Sequence, residues 1–158
     1  MSDEPRPAKR SKSVVLFVCL GNACRSPMAE AIARRDAADV ISPSSAGIAA
    51  LGFVVEDTKR TLEANGYSAE GLHSKPVNAE LWNSADLVIN MTGRPKNYAF
   101  YALSDHAKVE DWQVDDPYGA DSTFYQKICE DLQCRIRALA DRLRQAVPDP
   151  PAKTGGNS

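Results

Sequence analysis

Seven consecutive residues could carry chemistry in this chain: Cys19-Leu20-Gly21-Asn22-Ala23-Cys24-Arg25. A cysteine at the start of the run is a nucleophile in its thiolate form. An arginine at the end presents a planar fork that pairs two phosphate oxygens at once. Before the run stands Val14-Val15-Leu16-Phe17-Val18, apolar and rich in β-branched residues, which reads as a buried strand of a parallel sheet. After it stands Ser26-Pro27, a cap-type residue and a proline of the kind that opens a helix. A loop running from strand to helix turns its backbone N–H groups and the helix N-terminus towards one point. That point is an anion site, and its positive potential suits a thiolate at Cys19. Leu20, Gly21, Asn22, Ala23 and Cys24 would then form a backbone cradle for that anion, and Ser26 can donate to the sulfur. Taken singly, Cys19 is equally a buried strand-end thiol and Arg25 a helix-surface charge. Their spacing between strand and helix favours catalysis. The loop is not the ATP type, because G-x-x-x-x-G-K-[ST] does not occur.

The run Phe17 to Pro27 resembles the signature of the low-molecular-weight protein tyrosine phosphatases. Asp116-Pro117-Tyr118 is similar to the family's second motif, an Asp-Pro-aromatic late in the chain. Ser45-Ala46-Gly47 resembles the stretch that carries the family's serine after the second strand. The likeness extends from Ser13 to Ala146. It implies an α/β fold: a single domain with a four-stranded parallel sheet flanked by helices. It implies hydrolysis of a phosphorylated protein, phosphotyrosine first, through a phosphocysteine on Cys19. It implies no metal and no cofactor. From the residues alone, Asp115 and Asp116 are equal candidates for the general acid that protonates the leaving oxygen. The register of the resembled motif selects Asp116 and makes Tyr118 a wall of the pocket. The resemblance also singles out Ser45, which would support the loop through Asn22, a residue type that tolerates left-handed backbone.

Two positions depart from the resembled pattern. Ala23 stands where phosphotyrosine enzymes commonly carry isoleucine and a phosphoarginine branch carries threonine. Leu51 stands where many members carry an aromatic residue. A phosphoarginine protein phosphatase is therefore the alternative substrate class. A thiol-dependent arsenate reductase is an alternative of a different kind. That chemistry passes a disulfide along further cysteines, and none occurs between Cys24 and Cys129. A phosphate-binding module without turnover is opposed by the joint presence of Cys19, Arg25 and Asp116. Cys24 has two readings: a packing thiol, or the partner that captures an oxidised Cys19 as a disulfide.

The rest of the composition sets bounds. With 158 residues, 43% hydrophobic and 25% charged, the chain has the make-up of one ordinary globular domain. A net charge of −2 argues against nucleic acid or a membrane surface as partner. No apolar run approaches the ~20 residues of a membrane span. Residues 1–13 lack the apolar stretch of a secretory signal. The four cysteines fit no disulfide framework and no zinc spacing, since both close pairs are C-x4-C. A working thiolate needs a reducing compartment, so a cytoplasmic location is expected, as is a monomer.

The elements that must position the loop follow in order. Residues 1–12 read as a disordered basic arm, 13–147 as the phosphatase domain and 148–158 as a disordered tail. Helix one follows the loop, with Met28 and Ile32 facing the sheet. Strand two runs from Val40 to Ala46, and Ile48–Phe53 is a loop. A helix over Thr58–Asn65 ends on Asn65-Gly66. Further expectations are a short helix over Asn78–Asn83, a buried strand over Asp86–Met91, a helix over Pro95–Tyr101 and a weak strand over Ala107–Glu110. Asp121-Ser122 caps a long helix whose apolar stripe is Phe124, Ile128, Leu132, Ile136, Leu139 and Leu143. On that helix Cys129 and Cys134 lie about 140° apart and cannot pair. Strands alternating with helices mean a parallel sheet, and ligands of such sheets bind beyond the carboxyl ends of the strands.

Overall fold

Strand β1 (Ser13–Cys19) is apolar along its length because it is covered on both sides. Val15, Phe17 and Cys19 face one layer of helices, while Leu16 and Val18 face the other. Val15 to Val18 are fully buried, a gain of roughly 1.5–3 kcal/mol for each large side chain. β1 pairs in parallel with β2 (Ile41–Gly47) on one side and β3 (Leu87–Asn90) on the other. β4 (Val109–Asp111) adds to β3, so the all-parallel order is β2-β1-β3-β4. This is the expected four-stranded sheet. The computed structural model describes residues 12–146. The arm read over 1–12, Lys12 apart, and the tail read over 148–158 lie outside the described residues.

Helices α1 (Arg25–Asp36), α2 (Glu56–Ala64) and α5 (Ser122–Ala146) pack on the Phe17 face. α3 (Ala79–Ser84) and α4 (Lys96–Ala99) lie on the face of Leu16 and Val18, where Trp82 and Phe100 pack with ring planes tilted by 46° and centroids 4.8 Å apart. β2 contains Pro43, which an edge strand tolerates because one flank needs no ladder hydrogen bond. No helix among the described residues is long and apolar enough to cross a membrane.

Several expectations shift on contact with tertiary structure. Helix α1 opens at Arg25 rather than at Ser26, and Cys24 occupies its cap position without a side-chain capping bond. Ser26 does not cap because its hydroxyl is claimed inside the loop by Asn22 and Cys19. The stretch around Ala107 is not strand: His106–Lys108 forms one 3-10 turn. There the Lys108 ammonium donates to the carbonyls of Trp82 and Ala85. The helix expected over Pro95–Tyr101 shrinks to one turn, Lys96–Ala99. On α5 Tyr125 is fully buried, whereas Phe124 is only partly covered. Asp121 caps α5 as expected, its carboxylate accepting from the Phe124 N–H at 3.0 Å.

Candidate active site

The loop between Cys19 and Arg25 sits at the carboxyl end of β1, in the middle of the sheet. Most of its carbonyls turn outward to partners. Cys19 O accepts from Ile48 N, Leu20 O from Ala49 N, and Gly21 O from Leu51 N. Ala23 O accepts from Val55 N and from the Thr58 hydroxyl. Gly21 O also receives the Ser74 hydroxyl at 3.1 Å. An outward carbonyl leaves its peptide N–H facing inward. No backbone N–H from Leu20 to Cys24 finds a protein partner among the described residues. Buried amides left in that state make a concave anion cradle.

Asn22 makes the turn possible. Its φ of +48° is left-handed, uncommon for any residue but glycine. Its side chain is pinned three times: Oδ1 accepts from Lys75 N at 2.9 Å, and Nδ2 donates to Ser26 Oγ at 2.7 Å and to Ser45 Oγ at 3.1 Å. Ser26 Oγ in turn lies 3.0 Å from Cys19 Sγ. Ser45 reaches this point because β2 pairs with β1 in a register that sets it beside Phe17. Gly47 lets the strand end close in, since a Cβ there would lie 2.8 Å from both Asn22 N and Leu20 O.

Arg25 is 6% exposed and held from behind. One guanidinium nitrogen donates to Met91 O at 2.7 Å and Val114 O at 3.1 Å. The other lies 3.6 Å from an Asp116 oxygen. Its Nε is buried and has no partner among the described residues. A desolvated donor left unpaired is costly, and a phosphate oxygen in the cradle would satisfy it. Asp116 itself is exposed on the loop before α5, its second oxygen accepting from Tyr118 N at 3.1 Å. Asp115 is also exposed, but its carboxylate has no hydrogen bond or ion pair among the described residues.

A cavity of about 270 Å³ opens over the loop, at the small end for ligand pockets. Cys19, Leu20, Gly21, Ala23, Cys24 and Arg25 line its floor, and Ala49, Leu51, Asp116 and Tyr118 its rim. The structure thus gathers every residue singled out in the two motifs. Asn22, Ser26 and Ser45 lie behind the loop as its support, without lining the cavity. Tyr118 stands at the rim among the lining residues and is 57% exposed. Sequence reasoning missed Thr58, Ser74 and the carbonyls of Met91 and Val114. The contacts of Met91 and Val114 are made by backbone, and no side-chain pattern marks them.

The Cys24 thiol is buried, and burial pushes its pKa up against the smaller opposing effect of the hydrogen bond with Tyr125. Tyr125 Oη lies 3.4 Å from the sulfur, and burial raises that phenol strongly too. Burial also pushes Cys129, within the core, up to about 11. Cys134 is exposed, and all four thiols are free.

Comparison with known proteins agrees with the geometry. A sequence model described as low molecular weight phosphotyrosine protein phosphatase matches residues 14–149. An arsenate reductase of Bacillus licheniformis is 33% identical over 137 residues, covering 83% of this chain and 97% of that protein. A protein-arginine-phosphatase of Bacillus subtilis is 33% identical over 151 residues, with the same two shares, 83% and 97%. A solved low molecular weight protein tyrosine phosphatase from T. tengcongensis superposes with a TM-score of 0.76 at 31% identity, over 84% of this chain and all of that one (100%). With its Cys19–Arg25 loop between strand and helix, its Asp-Pro-Tyr segment and its parallel sheet, the chain belongs to the low molecular weight phosphotyrosine protein phosphatase family.

Proposed function

We propose that this protein is a cysteine phosphatase that hydrolyses phosphoprotein, phosphotyrosine in preference, through a phosphocysteine on Cys19. The observation that carries the reading is the inward ring of unpaired loop amides closed by the orphaned Nε of buried Arg25. Such a ring matches the three equatorial oxygens of a phosphoryl group in transfer, where charge stabilisation is the main catalytic task. Cys19 Sγ lies at the floor of the cradle and attacks phosphorus in line. The phosphorus–oxygen bond to the substrate breaks, and Asp116 at the rim gives the departing oxygen its proton. The Asp116 carboxylate then takes a proton from the water that cleaves the phosphocysteine. Ser26 donates to sulfur, steadying the thiolate as nucleophile and again as leaving group.

Ala49, Leu51 and Tyr118 give the rim an apolar character that suits an aryl ring. The same cradle would take phosphoarginine, the substrate class named for the Bacillus subtilis relative. Arsenate reduction is less well served. Cys24 is the one other thiol in the pocket, while Cys129 is locked in the core and Cys134 is on the surface of α5. A panel of phosphotyrosine, phosphoarginine and phosphoserine peptides, with arsenate plus a thiol donor, tests the reading. The highest kcat/KM is expected on phosphotyrosine. Faster turnover of phosphoarginine reassigns the substrate, and arsenate-dependent thiol oxidation with no phosphatase activity refutes the reading.

Oxidation is expected to follow a defined course. Peroxide converts the Cys19 thiolate to a sulfenic acid, and the Cys24 thiol displaces water from it to form a disulfide. After mild peroxide, mass spectrometry should find the Cys19–Cys24 link, and a reductant should restore activity. Equal recovery by Cys24→Ser would show that Cys24 gives no protection.

A further inference from the structure

Behind the catalytic loop, a chain of polar side chains runs from Cys19 to a carboxylate on α1 that neither motif includes. Ser45 Oγ donates to Glu30 Oε1 at 2.6 Å. Glu30 is only 13% exposed, and its other oxygen is held by Arg34 at 2.9 Å. Donor and acceptor capacities then fix every link. A carboxylate only accepts, so the single Ser45 proton goes to Glu30. Ser45 Oγ must therefore accept from Asn22, 3.1 Å away. The Asn22 amide cannot be reversed, because its oxygen is committed to the Lys75 N–H. The second amide proton goes to Ser26 Oγ at 2.7 Å. Ser26 is left with one proton and two acceptors in reach, Cys19 Sγ at 3.0 Å and Ala46 O at 3.4 Å. The sulfur is the nearer.

We propose that Glu30 is a positioning residue for Cys19: by taking the Ser45 proton it keeps Asn22 clamped in the loop and Ser26 donating to the catalytic sulfur. The inference rests on the reading of Cys19 as nucleophile. Its physical basis is that Ser45 and Asn22 are fully buried. With Glu30 gone, the Ser45 proton turns to another acceptor, because leaving a buried donor unpaired is costly. Its lone pairs then turn from Asn22, and the left-handed residue on which the loop pivots loses one of its three anchors. Glu30 acts at a distance from the phosphate, so the cradle of amides and Arg25 remains.

The test is the rate of Cys19 alkylation by iodoacetamide at neutral pH, read beside kcat on an aryl phosphate and inhibition by inorganic phosphate. Two effects of Glu30→Leu oppose each other. Removing a negative charge near the thiol would speed alkylation, whereas losing the Ser26 donor slows it. The proposal predicts a loss of about tenfold in both alkylation and kcat, the scale of one hydrogen bond to a charged group, with phosphate inhibition little changed. Glu30→Gln, whose amide oxygen still accepts from Ser45, should alkylate at least as fast as the wild type. If Glu30→Leu does not fold, Glu30→Met takes its place with the same expectation. In the Ser45→Ala background, Glu30→Leu should add nothing, because both act through one link. Alkylation of Glu30→Leu at or above the wild-type rate overturns the proposal, as do losses that add across the pair. The alkylation contrast needs no turnover, so a wild-type protein without phosphatase activity would refute the proposed function and leave this inference separately tested.

Discussion

Cys19→Ser is expected to abolish turnover while phosphate still binds. The loss should approach the roughly 10⁶-fold that follows removal of a covalent nucleophile elsewhere, since a serine hydroxyl here has no base to take its proton. Ser26, its nearest polar neighbour at 3.0 Å, is a donor already committed to Asn22 on its oxygen. Binding should survive because the anion is held by loop amides and Arg25, none of which the substitution touches. The measurement pairs kcat on an aryl phosphate with calorimetric binding of inorganic phosphate. Substantial residual kcat would remove Cys19 from the mechanism. Loss of binding together with turnover would mean that the loop had collapsed, and it would show that the sulfur supports the cradle as well as attacking.

The second large effect concerns the proton donor. A general acid matters most when the leaving group is poor. An activated aryl oxide departs with little help, whereas a tyrosine phenolate does not. Asp116→Asn keeps size and shape and removes the transferable proton. It should slow phosphotyrosine hydrolysis by the ~10²–10⁴ of a lost acid and slow an activated aryl phosphate far less. The structure gives a reason to separate the two adjacent carboxylates. Asp116 is at the cavity rim, 3.6 Å from Arg25, whereas Asp115 is not among the lining residues. Asp115→Asn should accordingly change neither rate by much. A leaving-group dependence that appears at Asp115 would mean that the second motif is read in the wrong register. If neither variant shows it, the proton comes from elsewhere.

The strands, the helix after the loop and the two motifs were legible because each is a local property. Val15 to Val18 announce a strand covered on both faces through an unbroken apolar run. Cys19, Arg25 and the Asp-Pro-Tyr segment announce their chemistry through residue type and spacing. The close approach that Gly47 makes to Leu20 and Asn22 at the end of β2, by contrast, is a tertiary fact. Local signals failed where a distant partner outbid them. Ser26 looks like a helix cap, but Asn22 and Cys19 take its hydroxyl. The sequence predicts a strand from Ala107, but the Lys108 ammonium reaches back to Trp82 and Ala85 in a 3-10 turn, and β4 starts only at Val109.

What the sequence by itself determined is the set of reacting groups and the order of the elements that present them. Only the tertiary structure decided how the loop is made to face inward. That depends on backbone amides of residues 48–55 and on Thr58 and Ser74, which capture the loop carbonyls one by one. It also depends on the carbonyls of Met91 and Val114, 66 and 89 positions from the arginine they hold. Peptide groups are the same in every residue, so no choice of amino acid advertises them. Glu30 shows the same limit in a side chain. On α1 it reads as an ordinary surface charge four residues from Arg34, and only the register of β2 against β1 brings Ser45 to it.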